Sequence, residues 1–291
     1  MDWQNQLITL YLNVCERYQT GLWTHVQRFA PHSDLSFSDE EVITLYLFGI
    51  IDKKREIKSI YEHADRYWRD WFPKLPGYAA YVQRLNRLAA LFPALAESFC
   101  PNQAPATLTG LVDSFPIIMA QRPRRYHAKV APELASGGYC SSKQLYYYGV
   151  KLHLIGDRRS GTMPMPRYVG LTEAATHDAP AFEQVMYQLP DREVYADKAY
   201  EHFSRYKDLP FIFLSPVKKQ KGQKFHDAAD DWLSRAVSTV RQPIESLFNW
   251  IEQKTGIQWA SKVRSSKGLQ VHVFGRMAAA MFMLNSLPLC S

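Results

Sequence analysis

The chain has 291 residues, 46% hydrophobic and 22% charged, with a formal net charge of +7. This composition is that of a globular protein with a sizeable core and excludes a disordered or fibrous chain. No window reaches ~18 uninterrupted apolar residues, so the pattern of a membrane-spanning helix is absent too.

The charge is unevenly spread. Residues 117–170 hold nine Lys/Arg against two Asp/Glu, and residues 211–291 eleven against five. Between them, residues 171–210 hold four against eight. The basic residues are interleaved with Tyr, Gly and Ser rather than set on an apolar helix, which favours a polyanion over a membrane surface as partner. The cysteines, Cys15, Cys100, Cys140 and Cys290, form no Cys-x-x-Cys pair and read as reduced thiols of an intracellular protein. With no basic and apolar leader after Met1, the expected location is the cytoplasm.

In chain order, Leu7, Leu10, Tyr11, Val14 and Tyr18 recur at helical spacing. Ser38-x-x-Glu41 is a capping box ahead of Val42, Leu45, Tyr46 and Ile50. Ile57 to Trp68 and Tyr78 to Leu91 continue the helical pattern, with Gln83, Arg84 and Arg87 as candidates for an exposed face. Residues 1–105 are therefore expected to form a helical domain serving DNA binding or dimerisation. Pro101–Ala106 is the expected boundary.

Leu108 to Ile118 reads as a buried strand with Asp113 in its middle, and Pro116 predicts that regular pairing ends just beyond the acid. A long polar and basic stretch, Gln121 to Gln144, follows. From Tyr146 to Leu154 the sequence alternates as a half-buried strand. Packing accounts for Tyr146 and Tyr148, leaving Tyr147 as the ring free to stack on a base. His153 falls on the polar face, as a solvent-facing or supporting residue. Arg167 to Thr172 is another strand, and Asp178 can cap a helix through Leu189. Glu193 to Ala196 is a short strand ending at Asp197, and Phe211 to Leu214 a fifth. A lysine-rich loop leads to a helical region, 228–256, and a last helix, Gly268 to Leu287.

Two strands thus end in aspartate, where ligand sites of open α/β sheets lie. On the helix, Glu245 and Glu252 share one stripe beside the apolar residues Ile244, Leu247, Phe248 and Ile251. Pro243 either starts or kinks that segment, and Arg241 is an ion-pair candidate for Glu245. Each acid alone is open to a capping or surface reading. Together, two strand-end aspartates and one core-flanking glutamate offer oxygen ligands to hard divalent cations. Two such cations can serve phosphoryl transfer.

The motifs Leu-Val-Asp-Ser-Phe-Pro, Tyr-Cys-Ser-Ser-Lys-Gln-Leu-Tyr-Tyr-Tyr-Gly-Val-Lys-Leu-His-Leu, Tyr-Ala-Asp-Lys-Ala-Tyr and Arg-x-x-x-Glu resemble those of bacterial insertion-sequence transposases of the DDE class, most of all insertion-sequence family 982. The resemblance implies an α/β fold: a ribonuclease-H-like mixed-sheet core over residues 106–291. It implies that Asp113, Asp197 and Glu245 hold two Mg²⁺ ions, with Mn²⁺ as a possible substitute. It also implies binding of terminal inverted repeats in double-stranded DNA, cleavage to expose 3′-hydroxyls, and strand transfer by a homodimer or larger assembly in the bacterial nucleoid. Related families carry Tyr-x-x-Arg-x-x-x-Glu-x-x-x-x-x-x-Lys; here Ser238 replaces the Tyr and Glu252 the Lys. The basic residues expected to hold DNA are Arg122, Arg124, Arg125, Lys143, Lys151, Lys218, Lys219, Lys221, Lys224 and Arg241. The alternatives are a metal-dependent nuclease that does not join strands and a DNA-binding protein that keeps the fold without the chemistry.

Overall fold

The computed structural model describes residues 2–26, 35–100, 108–141, 143–185, 192–200, 209, 211–218, 223, 225 and 227–285. It divides into two compact units. One comprises residues 1–100, 129–133 and 251–288, the other residues 101–128, 134–250 and 289–291. The segment from 251, expected to close the catalytic domain, therefore clusters with the first hundred residues.

In the helical unit, α1 (Trp3–Gln19), α2 (Asp39–Ile51), α3 (Ile57–Tyr67), α4 (Tyr78–Arg87) and α5 (Leu91–Ser98) precede the sheet. The capping box forms as its spacing predicts: Glu41 N donates to Ser38 Oγ and Ser38 N to the Glu41 carboxylate. From Val42 to Ile50, α2 is buried all round, so it is the core helix of this unit. Arg84 does not present its guanidinium on an open face as expected. It donates to Asp39 Oδ1 at 2.9 Å, a buried carboxylate that also accepts from Tyr18 Oη at 3.1 Å. A buried charge needs such a partner, and this need outranks the helix-face reading.

The last helix arrives in pieces: α8 (Ser266–Gln270), a π-helical turn over Val271–Gly275, and α9 (Arg276–Asn285). Gly275 lets the Tyr46 ring approach so closely that a Cβ there would lie 2.5 Å from Tyr46 Cε1.

The second unit is built on a mixed sheet: β1 (Thr109–Ala120), β2 (Ser136–Cys140), β3 (Leu145–Asp157), β4 (Met165–Glu173), β5 (Glu193–Tyr195) and β6 (Ile212–Leu214). The order is β2-β3-β1-β5-β6. β3 is antiparallel to β1 on one side, and on its other edge it takes β2 over 145–149 and β4 over 150–157. β5 is parallel to β1 and β6 to β5. Three antiparallel strands followed by parallel ones make a ribonuclease-H-like core. One face packs Val112, Ile155, Val194 and Phe213 against Ala179 and Phe182 of α6 (Asp178–Glu183) and against Tyr200.

β1 continues past Asp113 and through Pro116, contrary to the expectation from the sequence. Leu108 O accepts from Glu193 N, whereas Thr109 O accepts from Arg158 N. Even-numbered peptide groups of β1 therefore face β5 and odd-numbered ones face β3. Pro116 is in the even set, and β5 pairs only over 109–111, so the missing N–H falls on an uncovered edge. β2 forms within the polar and basic stretch Gln121 to Gln144, where the sequence pattern announces no strand. Among the described residues, no helix is long and apolar enough to cross a membrane.

α7 is one helix, Ala228–Thr255, with Pro243 in its interior rather than at its start. Residues 228–250 belong to the sheet unit, where Phe248 stacks on Phe115 of β1 at 5.2 Å between ring centroids.

Candidate active site

The parallel pairing of β1 and β5 aligns the two aspartates. Thr109 faces Glu193, Gly110 faces Val194 and Leu111 faces Tyr195. That offset of 84 (193 less 109) also separates Asp197 from Asp113. Both acids stand two residues beyond the last pair, at the height where β5 stops and β1 runs on. Each carboxylate accepts the next peptide N–H: Ser114 N to Asp113 Oδ1 at 2.8 Å, and Lys198 N to Asp197 Oδ1 at 2.7 Å. The end of β5 leaves those donors without a strand partner, and the acids supply the acceptor.

Glu245 reaches the same place from α7, held by the Phe115–Phe248 stack. An open pocket of about 390 Å³ is lined by Asp113, Asp197, Arg241 and Glu245, together with Lys143, Lys151 and Asp178. Arg241 lies between two of the acids. Its Nη1 donates to Asp113 Oδ2 at 2.7 Å and its Nη2 to Glu245 Oε1. Burial pushes the Asp113 carboxyl up to about 6, with Asp197 adding to the rise, while Arg241 and the Ser114 N–H pull the other way. Burial lowers Arg241, but Asp113, Asp197 and Glu245 more than offset that and hold it above its ordinary range. Glu252, in the helical unit, accepts Gln258 N through Oε2 at 2.7 Å and so closes a turn of backbone.

Two further groups bear on the acids without any sequence signal, Asp178 in the pocket wall and Tyr200 in the adjoining core. Asp178, read only as a helix cap, accepts from Lys151 Nζ at 3.1 Å, and Lys151 also donates to Thr176 O at 2.7 Å. Tyr200 is buried, and its hydroxyl has no hydrogen-bond partner among the described residues. Burial raises its pKa well above the usual range, and the negative charges of Asp178, Asp113 and Asp197 add to that. His153 is half-buried: Nε2 lies 2.8 Å from Thr172 Oγ1, and Nδ1 is buried with no partner among the described residues. Burial drives its pKa down to about 4, against the pull of Asp178.

Tyr148 is buried as alternation expects, but the assignment is reversed for its two neighbours. Tyr147 is buried beside Ile118 and Ala174, whereas Tyr146 is 46% exposed. β3 is covered on both faces here, so alternation no longer separates core from solvent.

The basic residues fall into two groups. The guanidiniums of Arg122 and Arg125 stand over the Tyr146 ring, at 5.3 and 4.9 Å from its centroid. Lys143 Nζ stands 5.5 Å from the Phe115 centroid, while Arg124 and Lys218 are exposed. Lys219, Lys221 and Lys224 lie outside the described residues. Among the described residues, no group of three or more His, Cys, Asp or Glu side chains is arranged to hold a metal ion. Arg241 occupies the ground between Asp113 and Glu245 instead.

A comparison with curated proteins returns no match. The family model described as transposase DDE domain matches residues 105–282, more than half of the chain and the whole of the sheet with its acids. A match of that extent brings DNA as the partner and polynucleotidyl transfer as the type of chemistry. The chain belongs to the transposase DDE domain family.

Proposed function

We propose that this protein is the transposase of a bacterial insertion sequence, of the kind seen in insertion-sequence family 982. It would bind the element's terminal inverted repeats, cut to expose 3′-hydroxyls and join them to target DNA. The observation that carries this reading is the shared height of Asp113 and Asp197 on parallel strands, with Glu245 lining the same pocket.

The donor set fits a hard divalent cation such as Mg²⁺, or Mn²⁺ in its place. Four carboxylates line one pocket; Asp178 is paired with Lys151, and Asp113 already sits against another cation, the Arg241 guanidinium. Asp113, Asp197 and Glu245 would be the ligands. Two bound ions would stabilise charge on the attacking and leaving oxygens of a phosphodiester.

The chain's own cations do the rest. Lys143 lines the pocket, Arg122 and Arg125 stand over Tyr146, and Arg124 is exposed; these would hold phosphates, so the affinity falls as salt rises. Lys151 is pinned by Asp178 and Thr176 O, which fixes its ammonium in the pocket wall and keeps it ready for an incoming phosphate oxygen. Arg241, once released from Asp113, is free to contact the strand being cut. The active species is proposed to be at least a homodimer, acting in the cytoplasm.

The test is donor cleavage and strand transfer on a duplex carrying the DNA that flanks this reading frame. Asp113→Asn and Asp197→Asn should each abolish Mg²⁺-dependent cleavage and leave duplex binding within about threefold. Cleavage at the wild-type rate in either variant overturns the assignment. Cleavage without joining would support a nuclease instead.

A further inference from the structure

On the antiparallel pair β2–β3, Tyr139 lies directly opposite Tyr146. Their ring centroids are 4.6 Å apart, and the two residues are 47% and 46% exposed. Arg122 and Arg125 add their guanidinium groups over Tyr146, and Arg125 also stands 4.2 Å from the ring centroid of Tyr126, itself 62% exposed. Rings of this size are ordinarily buried, and the neighbouring Tyr147 is. Tyr139 also lines the pocket of Asp113, Asp197 and Glu245, so the aromatic patch and the acids share one rim.

We propose that Tyr139 and Tyr146, flanked by Arg122 and Arg125, form a stacking platform for an unpaired base of the DNA held at the acid pocket. Every base has a π-face, and an aromatic ring or a guanidinium plane can lie against it. In a duplex those faces are covered by neighbouring base pairs, so only an unpaired base can use the platform. The surroundings suit a nucleic acid better than a protein partner: residues 117–170 carry nine Lys/Arg and two Asp/Glu, and phosphates on either side of the stacked base would meet that excess. Continuity with the pocket places the unpaired base next to the phosphodiester to be cut. The inference rests on the DNA reading above and adds to it a preference for locally unpaired substrate.

The experiment uses the full chain and two probes: a duplex with one unpaired 2-aminopurine in a short overhang, and the same duplex fully paired. Affinity is read by anisotropy and stacking by quenching of 2-aminopurine fluorescence. The wild type should bind the unpaired probe about tenfold more tightly than the paired one and quench it. Tyr139→Ala with Tyr146→Ala should reduce that preference to less than about twofold and lose the quenching, with paired-duplex affinity nearly unchanged. The corresponding Phe double variant, which keeps the rings, should retain both. Circular dichroism of each variant checks the sheet. A wild type that binds both probes equally, or an Ala double variant that keeps the preference, overturns the platform. A wild type that binds neither probe overturns the DNA reading and the platform with it.

Discussion

Arg241 Nη1 and Asp113 Oδ2 are 2.7 Å apart, although 128 residues separate them in the chain. The same guanidinium donates to Glu245, one turn along its own helix. The protein thus supplies its own cation to a carboxylate that burial makes costly to charge. Removing it should be felt in the metal-free protein. Arg241→Gln should lose about 2–3 kcal/mol of stability at pH 8. The loss should shrink at pH 5, where Asp113 takes up a proton and no longer needs a counter-charge. Urea denaturation at the two pH values measures this, and an equal loss at both would mean the guanidinium acts through packing. By calorimetric titration, the same variant should bind Mn²⁺ more tightly than wild type in the absence of DNA, since no guanidinium competes for the acids.

Asp113 and His153 give opposing slopes of stability against pH. Asp113 is raised from 3.8 to about 6, so the folded state binds more protons than the unfolded chain between those values. Its contribution therefore falls as pH rises through that range. His153 is lowered from 6.5 to about 4, so the unfolded chain binds the extra proton, and its contribution is lost as pH falls from 6.5 toward 4. Asp113→Asn should make acid destabilisation between pH 6.5 and 4 steeper than in wild type, and His153→Gln should make it shallower. Melting temperatures across that range decide it, and a parallel shift in either variant would refute the linkage.

Glu245 and Glu252 are separated by the structure's local contacts. Glu252 is spent on the Gln258 N–H, while Glu245 lines the acid pocket. Glu245→Gln should abolish Mg²⁺-dependent cleavage with little change in melting temperature. Glu252→Gln should keep cleavage and lose about 1 kcal/mol of stability. A dead Glu252 variant beside an active Glu245 variant would reverse the assignment.

Gly149 in β3 is where the ladder with β1 shifts register. A Cβ built there would lie 2.0 Å from Ile117 O, backbone that cannot step aside. Gly149→Ala should cost about 2–3 kcal/mol in chemical denaturation. Gly137→Ala, on β2 with nothing within 4 Å of the added carbon, serves as the control and should cost well under 1 kcal/mol.

What the sequence made legible was local. The capping box at Ser38, the strand ahead of Asp197 and the helix over 228–255 each rest on nearby residues and appear where expected. What stayed hidden depends on partners distant in the chain. β2 is a strand because the edge of β3 offers it hydrogen bonds, whatever Ser-Gly-Gly prefers. Gly138 pairs with Tyr147 there, and a Cβ on it would lie 2.5 Å from Ala174 O, just past the end of β4. Arg84 finds Asp39 and Lys151 finds Asp178, pairs that no periodicity announces. The acids and the pairing of Arg241 with Glu245 could be picked out, but not that the same guanidinium reaches Asp113.

The common offset of β1 and β5 restricts where this chain can change length. One residue inserted between Leu111 and Asp113, or between Tyr195 and Asp197, would advance one carboxylate by about 3.3 Å and turn it to the opposite face of the sheet. Insertions in the connection between β4 and β5 leave the alignment untouched, because the pairing is re-established at Glu193. Tolerance to insertion should thus be sharply local, with two short windows in which a single added codon silences the site while the fold around it survives.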